Sequence, residues 1–336
     1  MKLKTMALAT TIALSATAVT GTARADSLAT SVLDITNFSI FRGGTQVDVS
    51  DFVSGGLVVS TTADISAALS GTTVTDSLSG VGEDLDLAYA SVGTVTPAYV
   101  ENSFAVYTNP PQSAFSLADQ AQFGSPITGL TDSGGGVISS PATASHSAYV
   151  SLDSDGDGSS TANNGLNSTF QFTLASGGAL DFSFDARAYL ESFADISAAF
   201  PTTASSAYSL TFTIDDLNTG ANVVTWSPDG TANAGGASAF GLTAETDPFN
   251  LNDSISRNAP FNGTSFRGAA IGSEFSGVWS GTTVALLGNN AYQLTIRSNA
   301  EADARREGAV VPEPATLALM GLGMLGLGFS RLWRGA

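Results

Sequence analysis

The chain of 336 residues contains no cysteine and only one histidine, His146. Without thiols there is no disulfide to hold the fold and no Cys-His nucleophile, and a single imidazole cannot assemble a His-rich zinc site. No Gly-x-Ser-x-Gly elbow surrounds any serine, so a triad through His146 lacks its scaffold, and His146 reads as a solvent-exposed side chain in a Ser-Thr-Ala loop. Positive charge is scarce too: 12 Lys and Arg stand against 30 Asp and Glu, a formal charge of -18. Such a surface repels nucleic acid and anionic lipid headgroups. Phosphate loops are missing, because the glycine clusters at 134–136 and 235–236 lack the following Lys and helix. A glycosidase needs only two carboxylates, but nothing selects a pair, and the rare glutamates Glu191, Glu245 and Glu274 read as surface charges.

The two ends of the chain are the informative parts. Met1-Lys2-Leu3-Lys4 is a cationic start, Thr5 to Val19 is apolar, and Ala23-Arg24-Ala25 places small residues at the two positions that signal peptidase reads. Residues 1–25 are therefore expected to be a signal peptide cleaved before Asp26. Its removal takes away Lys2, Lys4 and Arg24, moves the charge from -18 to -21, and leaves no lysine.

At the other end, Val311-Pro312-Glu313-Pro314 has two fixed φ angles and two missing backbone donors, so it should be extended and accessible. Ala315 to Phe329 follows, apolar and interrupted by Gly321, Gly323, Gly326 and Gly328, and then Arg331 and Arg334 flank Leu332 and Trp333. As a helix, Ala315 to Ser330 reaches about 24 Å, short of the roughly 30 Å hydrocarbon core. Leu332 and Trp333 extend the span to residues 315–333, and the two arginines can snorkel. This order of Pro-bracketed signal, Gly-rich apolar span and basic end resembles the PEP-CTERM sorting signal of Gram-negative exported proteins. Many relatives end in a tighter Arg run. The resemblance covers residues 311–334 and implies recognition by an exosortase, a transient tether in the inner membrane, and delivery to the cell surface or extracellular matrix, in association with exopolysaccharide or biofilm.

Between the ends the pattern is β. Tyr208-Ser-Leu210-Thr-Phe212-Thr-Ile214 alternates cleanly and is answered by Val223 to Trp226; Tyr292-Gln-Leu294-Thr-Ile296 alternates again. Phe170 to Leu174 and Leu180 to Phe184, joined by Ser176-Gly177-Gly178, read as a hairpin with one aromatic face. Residues 54–82 are rich in Ser, Thr, Gly and Ala and predict short strands and exposed loops, while the spacing around Ala114 to Phe123 favours a short helix. The overall expectation is all-β: an antiparallel β-sandwich of jelly-roll type over residues 26–300, with a possible subdivision near 125–141, a charged spacer at 301–310 and a hydrophobic C-terminal helix.

Two candidate sites emerge inside the ectodomain. Asp153-Ser-Asp155-Gly-Asp157-Gly158 reproduces the first half of a calcium loop, with Asp153, Asp155 and Asp157 converging and Ser159 lending its carbonyl. Asn164 occupies the place of the usual bidentate Glu, and a strand follows in place of a helix, so the expectation is a Ca2+-stabilised β-loop rather than an EF-hand; Asp-Gly turns in an acidic chain are the simpler alternative. Trp279, in Gly277-Val-Trp-Ser-Gly281, is the candidate for stacking on a glycan, whereas Trp226 reads as a core aromatic. The functional expectation is a non-enzymatic surface or matrix protein, with a carbohydrate-binding module as the alternative and a secreted glycosidase behind it.

Overall fold

The structure is a computed structural model that describes residues 27–80, 85–95, 99–106, 113–132, 134–153, 158–194, 202–258 and 263–306. Its strands begin with β1 (Ser27–Arg42), β2 (Thr45–Gln46), β3 (Phe52–Leu69), β4 (Thr72–Gly80), β5 (Leu85–Gly93) and β6 (Phe115–Phe123). There follow β7 (Ala142–Leu152), β8 (Gly158–Leu174), β9 (Asp181–Ala194), β10 (Thr202–Asp216), β11 (Asn222–Trp226) and β12 (Ala239–Phe240). The last five are β13 (Leu242–Thr246), β14 (Asp253–Asn258), β15 (Gly263–Arg267), β16 (Phe275–Thr283) and β17 (Ala291–Arg306).

These strands form two antiparallel sheets packed face to face. The first runs β13-β16-β9-β1-β7-β6-β5, with β15 beside β9 and β2 beside β1. The second runs β12-β11-β10-β17-β8-β3-β4, with β14 beside β10. The chain crosses between the sheets repeatedly, so the long central strands β1, β9, β10, β17 and β8 each pair on both sides. This is the all-β sandwich that the alternating pattern predicts.

Strand period sorts the side chains into layers. Phe182 and Phe184 of β9 face Phe212 of β10, with ring centroids 5.7 Å apart in both pairs, and Trp226 lies 5.0 Å from Phe212. A bulge at Asn37, in left-handed backbone at φ 56°, inserts one residue into β1; Leu33 and Ile35 before it and Phe38 and Ile40 after it therefore all reach the core. At the other end the core is small: Ala29, Ala148, Ala162, Ala204, Ala300 and Ala302 meet there. Small side chains let the sheets come close enough for Ser31 Oγ to donate to the Ala207 carbonyl of the facing sheet at 2.7 Å.

Several expectations are corrected by this packing. The segments 170–174 and 180–184 do not form a hairpin, because β8 and β9 belong to different sheets; their aromatic faces meet across the sandwich. Residues 115–123 form a strand rather than a helix. Phe115 and Leu117 point outward beneath another layer and Ala118 and Gln120 point inward, and a strand buried on both faces loses its period of two. Residues 54–82 carry the 18-residue β3 in place of short strands. The charged spacer begins too early in the sequence reading: Ala300, Ala302 and Ala304 are buried, Glu301, Asp303 and Arg305 alternate with them, and β17 runs to Arg306. Strands from both sides of 125–141 pair with each other, β1 with β9 and β3 with β8.

Candidate functional site

The sheet faces decide which polar groups are available. On the outer face of the first sheet, residues 99–106 lie across β6 and β7. Asp119, fully buried, accepts from the Tyr99 hydroxyl at 2.5 Å and the Asn102 N–H at 2.7 Å, and the Tyr149 hydroxyl donates to the Ala105 carbonyl. Nearby, Asp34 accepts from Ser145 and from the Arg187 guanidinium, which also lies 3.6 Å from Glu274. Glu191 is 2% exposed and accepts from the Tyr189 hydroxyl at 2.5 Å; burial raises its carboxyl above the ordinary range, so it is not the surface charge the sequence suggested. Gly268 presses on the Tyr189 ring, where a Cβ would come within 2.7 Å, and encloses this pair further.

Between the sheets sits a polar belt. His146 is fully buried rather than exposed, its Nε2 2.7 Å from Ser298 Oγ, and burial lowers its pKa to about 4. Asn164, also fully buried, donates to the carbonyls of Asp119 at 3.0 Å and Ser147 at 2.7 Å and accepts from the Ala300 N–H at 3.2 Å. Its amide is thereby committed to joining the two sheets. That removes Asn164 from the calcium ligands. Asp153 follows the end of β7; Asp155 and Asp157 lie outside the described residues, as does the side chain of Ser159. Among the described residues no cluster of three His, Cys, Asp or Glu is arranged to hold a metal.

Trp279 is corrected outright. It is 0% exposed, stacks on Phe184 at 5.9 Å with the rings 2° from parallel, and donates its N–H to Asp247 Oδ1 at 2.9 Å. The glycines around it are inward positions of β16 where other groups lie: a Cβ at Gly281 would come within 3.3 Å of the Trp226 ring, and one at Gly277 within 2.9 Å of Pro248. No glycan can reach this indole. Trp226 is buried as expected, with its N–H 2.7 Å from Glu245 Oε1.

What sequence reasoning missed is the outer face of the second sheet. Ser209, Asn299, Gly165, Asp64 and Ser77 form one row across five strands, and Thr211, Arg297, Asn167, Thr62 and Ser79 the next. A trough of about 840 Å3 opens over these rows, with Gly165 at its centre. Among the described residues, no aromatic ring lines it. Ser209 Oγ donates to Asn299 Oδ1, and Asn299 Nδ2 donates to Glu301 at 2.8 Å, so its wall is held in place by side-chain bonds. Arg297 is exposed and makes no ion pair among the described residues. A second depression of about 230 Å3 adjoins it at Ser205, Ser254, Glu301 and Asp303. The polar alternation of β8, β17 and β10 was the available signal, but sequence cannot say which strands stand side by side.

The signal-peptide residues Ala23, Ala25 and Asp26 and the sorting residues Val311, Pro312, Glu313, Pro314, Arg331 and Arg334 lie outside the described residues. Among those that are described, no helix is long and apolar enough to cross a membrane. No curated protein matches the chain. A solved chain from infectious bursal virus-derived T=1 particles aligns at 14% identity over 87% of this chain and 79% of its own, with a TM-score of 0.09, at which no structural argument follows. The PEP-CTERM protein-sorting motif matches residues 310–332, where the Pro-Glu-Pro signal, apolar span and first arginine of the basic end lie. The chain thus carries a PEP-CTERM sorting motif at its C-terminal end, which supports an exported substrate of an exosortase, and its described residues form an antiparallel β-sandwich.

Proposed function

We propose that the sandwich is a non-enzymatic component of the cell surface or extracellular matrix, associated with exopolysaccharide. The observation that carries this reading is the sorting motif at residues 310–332. On this reading signal peptidase removes residues 1–25, the apolar span at 315–333 tethers the protein transiently in the inner membrane, and an exosortase passes it on. Its acidity supports a place away from nucleic acid and anionic lipid. The buried setting of His146 supports a non-enzymatic role, since its imidazole has no route to a substrate. A Ca2+ ion belongs to the same reading, held by Asp153, Asp155 and Asp157 between β7 and β8, where hard oxygen donors in an Asp-x-Asp-x-Asp-Gly order suit the ion.

The test is made in the producing cell. Wild-type protein recovered from the surface should lack peptides beyond residue 314, and the double variant Pro312→Ala, Pro314→Ala should accumulate as precursor in the inner membrane. Surface material that retains an intact tail would overturn the processing step.

A further inference from the structure

We propose that the trough on the outer face of the second sheet binds a neutral polysaccharide chain; this rests on the matrix reading and gives it a site. Four features of the trough lead there. Its volume, about 840 Å3, lies within the roughly 300–1,000 Å3 typical of ligand sites. Asn163, Asn167, Asn299, Ser66, Thr62 and Ser209 present donors and acceptors side by side, which is what a ligand of many hydroxyls requires, each hydroxyl being both donor and acceptor. Asn167 stands between Arg297 and Thr62 in the second row of the trough, where its side-chain amide adds a donor and an acceptor to that row. Finally, most of the lining side chains stand on β3, β8, β17 and β10, strands paired on both sides, with the edge strand β4 closing one end, so little order is lost on binding.

Charge selects the ligand further. Asp64 lines the trough with Arg297 as the one cation among its described lining residues, and Glu301 and Asp303 border the adjoining depression. A polyuronate or a phosphorylated glycan would meet these carboxylates on a strongly acidic protein, whereas a neutral chain would not. The lack of aromatic rings sets the mode of recognition as hydrogen bonding along a polar face.

Gly165 supplies the decisive variant. Its backbone needs no positive φ, and a Cβ built there meets nothing within 4 Å, so a side chain at this position fills the trough without touching the core. Full-length chain in detergent is run through native gels containing dextran, galactomannan or laminarin, each neutral, or alginate, a polyuronate. At least one neutral polysaccharide should retard the wild type, and alginate should not. Gly165→Ile should weaken the retardation at least tenfold, and Asn167→Ala several-fold, with both variants checked for folding by circular dichroism. Should Gly165→Ile fail to fold, Asn167→Ala decides alone. Absence of retardation by all three neutral chains, stronger retardation by alginate, or wild-type behaviour of the folded variants would each overturn the proposal. Sorting in the cell is read separately by the fate of the tail, so failure of one reading does not imitate failure of the other.

Discussion

Trp279 and Asp247 form a buried pair: the indole N–H donates to Oδ1 at 2.9 Å, while Oδ2 of the same carboxylate accepts from the Asp229 and Gly230 N–H groups at 2.6 and 2.8 Å. One acidic side chain thus fixes both the largest aromatic of β16 and the turn after β11. Glu245, two residues earlier, does the same for Trp226 and the Asn233 N–H at 2.9 Å.

Trp279→Ala should therefore act on stability. Emptying this position is expected to lose about 3–5 kcal/mol, the usual range for deleting a buried aromatic. Trp279→Phe keeps the stack on Phe184 but leaves Asp247 Oδ1 without its indole donor, for a loss of about 1–3 kcal/mol. Urea unfolding monitored by circular dichroism distinguishes them; a fully stable Trp279→Ala protein would contradict the buried placement.

The enclosed histidine gives stability a pH dependence of known sign. His146 takes up its proton at about 4 when folded and near 6.5 when unfolded. Between these values the unfolded chain binds the extra proton, so stability falls as pH drops from about 6.5 to about 4 and this contribution levels off below that. The full effect is on the order of 3 kcal/mol. Glu191, Asp247 and Asp303, whose carboxyls are raised by burial, contribute the opposite slope at acid pH. The difference between wild type and His146→Gln, measured by urea unfolding at pH 7, 6, 5 and 4, isolates the imidazole. A difference that stays constant with pH would contradict its neutral burial.

The layer over the first sheet should depend on Asp119. Replacing it with Ala removes the acceptor for the Tyr99 hydroxyl and the Asn102 N–H. Residues 99–106 should then exchange amide hydrogens faster and become cleavable by added protease, while amides of β10 and β17, in the other sheet, keep their protection. Unchanged exchange at 99–106 would show that the ring contacts of Tyr99 with Tyr89 and Tyr149 suffice.

Calcium is tested by melting. Three carboxylates drawn together repel one another, so an ion that binds them only in the folded state raises the Tm. The full chain in detergent should melt several degrees higher in excess Ca2+ than in EDTA, and Asp155→Asn should shrink the difference. Identical melting curves would dismiss the ion. Asn164→Ala, by contrast, should lower stability equally with and without Ca2+, because its amide bonds to Asp119, Ser147 and Ala300.

The sequence by itself determined the local things. Proline spacing, glycine content and two arginines identify the sorting signal without reference to any fold, because such a signal works as a peptide. Alternation settled the class of the strands at 208–214 and 292–296, since period two is a property of the strand alone. It failed where burial comes from two directions: residues 115–123, enclosed on both faces, look helical, and Trp279 between its glycines reads as a ring open to a glycan although Trp226 and Pro248 lie over those glycines.

Tertiary structure decided everything that depends on which strands are neighbours. Phe170–Leu174 and Leu180–Phe184 suggest a hairpin until the chain is seen to cross from one sheet to the other. Asn164 resembles a loop ligand in sequence, and only the facing sheet reveals the two carbonyls that hold it. The trough arises in the same way, for Asp64, Gly165, Ser209 and Asn299 are scattered over the chain and are brought into one row by antiparallel register. Periodicity tells each residue which face of its own strand it occupies; the pairing of long-range partners alone tells it what stands beside that face.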